Sequence, residues 1–260
     1  MKQYETILVE CSDGVGTITM NRVNKLNAMN KALRAELADA IAAINADDSV
    51  RVGVLAAAGR GFSVGMELDP NLLEAFDVRS LILKEYKPGL MAIYDAPKPW
   101  ISAVNGPAAG IGASYAMACD LTVMAEDAYM LEAFAAIGLV PDGGASWHMV
   151  HSVGRKRAYE LIVSGKKIAA DQCLALGLCN RVVPADSLLA ETRTWALELA
   201  AKAPLALRYS KQALRFSQDA PLSEAVDNEA DLQKLCVDSD DGTEGIKAFM
   251  EKRAPQWKGC

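Results

Sequence analysis

The sequence predicts a wound α/β protein with a helical tail, and three observations carry that reading. Short apolar strands recur with helices between them, glycine-rich turns stand where strand passes into helix, and beyond about residue 185 amphipathic helices run to the end. The 260 residues are 51% apolar, enough for one large core. Residues 1–185 are therefore read as the core, and 186–260 as a helical extension of the same fold.

Taken in order, residues 6–9 and 15–20 read as strands about the hairpin turn Ser12-Asp13-Gly14. A helix is expected over 30–43, with Leu33, Leu37, Ile41 and Ile44 on one stripe. Residues 52–56 form a short apolar strand that breaks at Gly59-Arg60-Gly61. Helical sequence over 71–94 leads to a buried strand at 100–104, a helix over 110–118, a strand over 120–124 and another near 128–131. The tail reads as helices over 187–203, 205–217, 222–236 and 243–253. Their apolar faces exceed what one core can cover, which points to packing between subunits.

Composition narrows the partners. With Lys+Arg 27 against Asp+Glu 33 the net charge is −6, and no basic stripe offers a nucleic-acid surface. Cys11, Cys119, Cys173, Cys179, Cys236 and Cys260 show no paired spacing and read as the reduced thiols of a cytoplasmic protein. No apolar run reaches membrane-spanning length, and no signal-peptide block opens the chain.

Three motifs carry chemistry. In Val104 to Asp120, VNGPAAGIGASYAMACD, a strand turns into a helix whose first N–H groups stay open, with Gly110 and Gly112 allowing close backbone approach. In Gly59 to Asp69, GRGFSVGMELD, glycines again shape a loop after a strand. It matches neither a phosphate loop nor a dinucleotide fingerprint. In Gly138 to Gly144, GLVPDGG, Asp142 is the only acid of an apolar turn. It reads locally as the N-cap of a following helix, or as a carboxyl whose proton affinity desolvation raises toward acid/base use. His148 and His151 lack metal-pair spacing, and with Trp147 they read as packing residues.

Together these motifs, with Asn21-Arg22-Val23-Asn24-Lys25-Leu26-Asn27-Ala28 and the ending Glu244 to Arg253, EGIKAFMEKR, resemble the crotonase, or enoyl-CoA hydratase/isomerase, superfamily over nearly the whole chain. The resemblance implies a crotonase-like spiral of ββα repeats, a C-terminal helical trimerisation region, a homotrimer or homohexamer, and a coenzyme A thioester as substrate. It implies no metal and no separate cofactor. Its oxyanion hole falls on the backbone N–H groups of Met66 and Ile111, with Gly65 and Gly110 holding the turns. Val64, Met66 and Leu68 fall where the family meets the adenine, and Lys25 and Lys252 where phosphates bind.

The hydratases of this family carry two glutamates, and this chain has Ser114 and Phe134 at those positions. That pair cannot activate water and deliver a proton, so hydration is disfavoured. Asp142 resembles the aspartate of dienoyl-CoA isomerases, of the ring-epoxide phenylacetyl-CoA isomerase and, as nucleophile, of aryl-CoA dehalogenases. The ring-epoxide isomerase is nearest in local sequence. The leading expectation is an isomerase in which Asp142 shuttles a proton at a dienolate. The alternatives are hydratase-like chemistry, an aspartate-nucleophile hydrolase or dehalogenase, and a non-catalytic acyl-CoA-binding paralogue. Strand alternation turns Glu132 and Phe134 to one face, so Glu132, Ser114 and Phe134 join the expected substrate lining, with Glu67 nearby. Leu72, Leu73, Phe76, Leu81, Ile82 and Leu83 are expected to shape the acyl pocket.

Overall fold

The computed structural model describes residues 2–68 and 77–260. A hairpin of β1 (Ile7–Ser12) and β2 (Val15–Met20) opens the fold, antiparallel with Ser12 opposite Val15. Helix α1 (Lys31–Ala46) starts at Asn30, whose side chain accepts the Leu33 N–H at 2.9 Å, and it buries the expected stripe. It runs past the expected end because Ile44 is also buried there, while Lys98 donates to the Ile44 carbonyl that would otherwise be orphaned. Strand β3 (Val52–Ala57) joins β2 in parallel.

Past the described gap come α2 (Val78–Leu81), a π-helical turn over Ile82–Tyr86, and α3 (Lys87–Tyr94). Asp69, Leu72, Leu73 and Phe76 lie outside the described residues. Next are β4 (Trp100–Val104), β5 (Pro107–Ala109), α4 (Ile111–Ala118), β6 (Leu121–Ala125) and β7 (Tyr129–Leu131). A 3₁₀ turn over Phe134–Ile137 precedes α5 (Ala145–Ser164), which breaks at Gly154. Then follow β8 (Ile168–Ala169), α6 (Ala170–Ala175) and β9 (Arg181–Val183).

These strands form two sheets, in the order β1-β2-β3-β4-β6-β9 and β5-β7-β8. Two isolated bridges, Met29 to Met66 and Ser63 to Ala108, extend the second sheet back toward the start of the chain. Each circuit thus gives one strand to the first sheet, a short one to the second, and then a helical segment. This is a spiral of ββα turns. Its core holds Ile18, Leu33, Leu37, Leu55, Phe62 and Trp100, all fully buried.

The tail is α7 (Leu188–Ala200), α8 (Pro204–Ser217), α9 (Leu222–Val237) and α10 (Asp240–Glu251). Helix α7 covers β2, β3, β4 and β6. Helix α8 is tied to the core by Lys211, which pairs with Asp120 at 2.8 Å and donates to the Ile93 carbonyl. Leu214, Leu222, Val226, Ile246, Phe249 and Met250 remain exposed on the tail. No helix among the described residues is long and apolar enough to cross a membrane.

Candidate active site

One wall of the site is backbone. The Met29 N–H donates to the Gly65 carbonyl at 2.7 Å, and the Glu67 N–H donates to the Met29 carbonyl at 3.3 Å. Because N–H groups alternate sides along an extended chain, Met66 directs its own N–H away from Met29, toward the side where Ala109 lies. There the Ala109 N–H donates to the Ser63 carbonyl, after which the chain leaves the sheet at Gly110. Ile111 is the first residue of α4, so its N–H has no acceptor within the helix. The two N–H groups open on the gap where these segments part. Both turns require glycine: Gly65 has φ 93° and a Cβ there would stand 3.0 Å from the Ala109 carbonyl oxygen, while Gly110 has φ 51°.

The facing wall is acidic. Asp142 is held beside α4 by Ser114, whose hydroxyl donates to the Asp142 carbonyl at 3.0 Å. Its side chain caps nothing: the helix begins at Gly144 without a side-chain cap, and Asp142 Oδ1 is buried with no partner. The capping alternative therefore falls, because the helix starts two residues too late for it. Burial pushes the Asp142 carboxyl up to about 6.

Glu132 is 1% exposed, and both its carboxyl oxygens lack a partner. Burial first, and then the charge of Asp142, push it up to about 8. It follows β7 directly, and the Gly110 N–H donates to the Leu131 carbonyl at 3.0 Å, so Glu132 stands next to the Gly110 turn. Phe134 closes the same corner, its ring 3.3 Å from where a Gly110 Cβ would be. The hydroxyls of Tyr86 and Tyr115 are also buried without partners, and burial raises both above their ordinary range.

Beyond the Asp142 turn a cleft of about 410 Å³ runs between α3 and the start of α5, lined by Ile82, Leu90, Tyr94, Gly143, Trp147 and His148. Trp147 meets Tyr94 and His148 edge-on at 5.5 and 5.0 Å. Burial lowers the His148 ring to about 4, so it stays neutral at physiological pH. An apolar cavity of roughly 150 Å³ already holds benzene, so this one has room for a ring or a chain.

The structure places the remaining expected residues unevenly. Val64 and Leu68 are exposed beside Met66, and Lys25 stands over Glu67 at 3.9 Å, with Arg22 on the same carboxylate at 2.9 Å. Ser114 is fully buried and its hydroxyl serves protein carbonyls, so it clasps the Asp142 turn to α4 and is not a substrate contact. Lys252 ends α10, which packs on α9, and no described contact brings it beside Met66 within the protomer. Sequence reasoning missed Tyr86 and Tyr115, which read as ordinary apolar-face residues of their helices.

Open N–H groups near a desolvated carboxyl can stabilise an oxyanion while a neighbouring carbon loses a proton. The profile of the enoyl-CoA hydratase/isomerase family matches residues 10–260, and the chain belongs to that family, with the crotonase fold. It is 37% identical over 256 residues to a Rhodobacter capsulatus protein named "Probable enoyl-CoA hydratase", covering 98% of this chain and 99% of the relative. It is 35% identical over 259 residues to the Escherichia coli 1,2-epoxyphenylacetyl-CoA isomerase, covering 98% and 99%. A crystal structure of enoyl-CoA hydratase subunit I from Geobacillus kaustophilus matches with TM-score 0.93 and 32% identity, each chain covered fully at 100%.

Proposed function

We propose that this member of the family is an acyl-CoA isomerase that moves a double bond of an enoyl-CoA thioester through a dienolate. The observation that carries the reading is the Asp142 carboxyl, its Oδ1 buried without a partner and its pKa pushed up to about 6, on a turn that packs on Ile111 and Ser114. In this reading the Met66 and Ile111 N–H groups hold the thioester oxygen as it gains charge, and Asp142 takes the proton. Neither step calls on a metal or a redox cofactor. The acyl group enters the aromatic cleft, while Val64, Leu68 and Lys25 meet the coenzyme.

Ser114 and Phe134 at the hydratase glutamate positions weigh against water addition. A panel of β,γ-enoyl-, dienoyl- and aryl-CoA thioesters tests the reading. Isomerisation leaves the mass unchanged and shifts the ultraviolet spectrum; efficient conversion of crotonyl-CoA to its 3-hydroxy thioester, with no isomerase turnover, would replace it with hydration.

One observation favours hydration as a second reading: Glu132 supplies a buried acid that neither Ser114 nor Phe134 provides. The exposed apolar residues of α8, α9 and α10 further support a homotrimer or a dimer of trimers. Light scattering at micromolar concentration should give three or six chain masses, and a monomer mass would remove that assembly.

A further inference from the structure

A carboxyl that is 1% exposed, with both oxygens unpaired, costs stability unless something outside the folded chain uses it. No cation pairs with Glu132 among the described residues, and it holds no turn, cap or strand together. Its place is specific. The register that pairs Ala109 with Leu131 puts Glu132 beside Gly110, one residue before the Ile111 N–H. Asp142 reaches the same corner from the turn before α5: Ser114 donates to its carbonyl, and Gly143 packs on Ile111 and Ser114. Two carboxyls with buried, unpartnered oxygens thus lie near the start of α4, and only one is needed to remove a proton.

We propose that Glu132 is the catalytic acid of this site, delivering a proton to one end of the dienolate after Asp142 has taken a proton from the other. This rests on the isomerase reading above. The two carboxyls differ in the way such a division requires. Asp142 releases its proton at lower pH, and its charge then reinforces the hold of Glu132 on its own.

The steps balance. Asp142 takes a proton as a C–H bond breaks, and the electron pair spreads to the thioester oxygen held by the Met66 and Ile111 N–H groups. The Glu132 O–H bond then breaks as a new C–H bond forms at the far carbon. The proton now on Asp142 passes to the Glu132 carboxylate and restores both groups. Phe134, packed on the Gly110 turn, brings no acid to that corner.

The test uses the full-length protein with a β,γ-enoyl-CoA thioester in deuterated water, comparing wild type, Glu132→Gln, Glu132→Asp and Asp142→Asn. Gln matches the neutral acid in shape and hydrogen-bonding groups but gives up no proton. Expected for Glu132→Gln is a fall in isomerisation of roughly 10²–10⁴-fold with deuterium exchange at the α-carbon retained. Glu132→Asp should recover part of the rate, while Asp142→Asn should lose exchange and turnover together.

Isomerisation by Glu132→Gln within about threefold of wild type overturns the proposal and leaves the isomerase reading standing. Loss of exchange along with turnover, in a Glu132→Gln protein that melts and elutes like wild type, also overturns it, since Glu132 would then serve the first step. A wild type that neither isomerises nor exchanges overturns both.

Discussion

The two walls of the site are made of different material. On the Met66 and Ile111 side the groups proposed to work are main-chain N–H donors, set by Gly65, Gly110 and the register of the second sheet. On the Asp142 and Glu132 side they are carboxyls, displaced from their ordinary acidity by burial. A backbone wall tolerates many side chains as long as the turns keep their shape. A carboxyl wall changes its reaction when one residue changes. Relatives of 37% and 35% identity carry the names of a hydratase and an isomerase, so overall similarity cannot choose between the two chemistries.

The largest effect should come from the acidic wall. Asp142→Asn removes the base while keeping the shape of the turn, and turnover should fall roughly 10²–10⁴-fold. Because the side chain caps nothing and its charge is buried, thermal melting at neutral pH should show no loss of stability beyond about 1 kcal/mol, and any gain is relief of that buried charge. A variant that loses several times that amount would return Asp142 to a structural role. The backbone wall should answer next. Gly65→Ala forces a side chain into a left-handed conformation and against the Ala109 carbonyl, turning the Met66 N–H away. Turnover should fall about 10²–10³-fold, the usual loss for one oxyanion donor.

Much of this site is legible in the sequence. The GFSVGMEL and VNGPAAGIG stretches announce their turns because glycine is the residue that accepts those backbone angles without strain. Helix α1, the tail helices and the first-sheet strands other than β9 follow from apolar spacing, whereas β9 and the bounds of α5 do not. What stays hidden depends on tertiary register. Locally Asp142 reads as a helix cap or as an acid/base group, and what separates the two is where α5 begins. Strand alternation predicts Glu132 and Phe134 on one face, but β7 ends at Leu131 and Phe134 opens a 3₁₀ turn, and that nothing pairs with Glu132 depends on segments far away in the chain. Tyr86 belongs to a π-helical turn, which shifts its side chain relative to the helix that spacing predicts. The two-residue strand β8 is too short to show any periodicity.

The carboxyl wall also makes a stability prediction. Glu132 ionises near 4.5 in an unfolded chain and at about 8 in the fold, so between these values the folded protein holds a proton that the unfolded chain has lost. Folding stability from this group is therefore complete below about pH 4.5 and declines as pH rises toward 8. Asp142 acts in the same direction over a lower window, ending at about 6. Tyr86 and Tyr115 stay neutral throughout, since burial raises them. Glu132→Gln removes the larger of the two windows. Its melting temperature should gain on that of wild type steadily from pH 5 to 8. Parallel curves would mean that water reaches Glu132 and that it is not desolvated.

The smallest effect should come from changing the side chain whose backbone does the work. Met66 packs half-buried against the core, and Met66→Leu keeps the volume and leaves the main chain at the Met29 bridge unchanged. The cost in stability should be below about 1.5 kcal/mol, as for other volume-conserving swaps. Turnover should change by much less than the roughly 10²–10³-fold attached to losing an oxyanion donor. Measured beside Gly65→Ala, this pair isolates the donor from the residue that carries it. If Met66→Leu were as damaging as Gly65→Ala while both melt like wild type, the thioether would be touching the substrate, and this wall would be a side-chain wall as well.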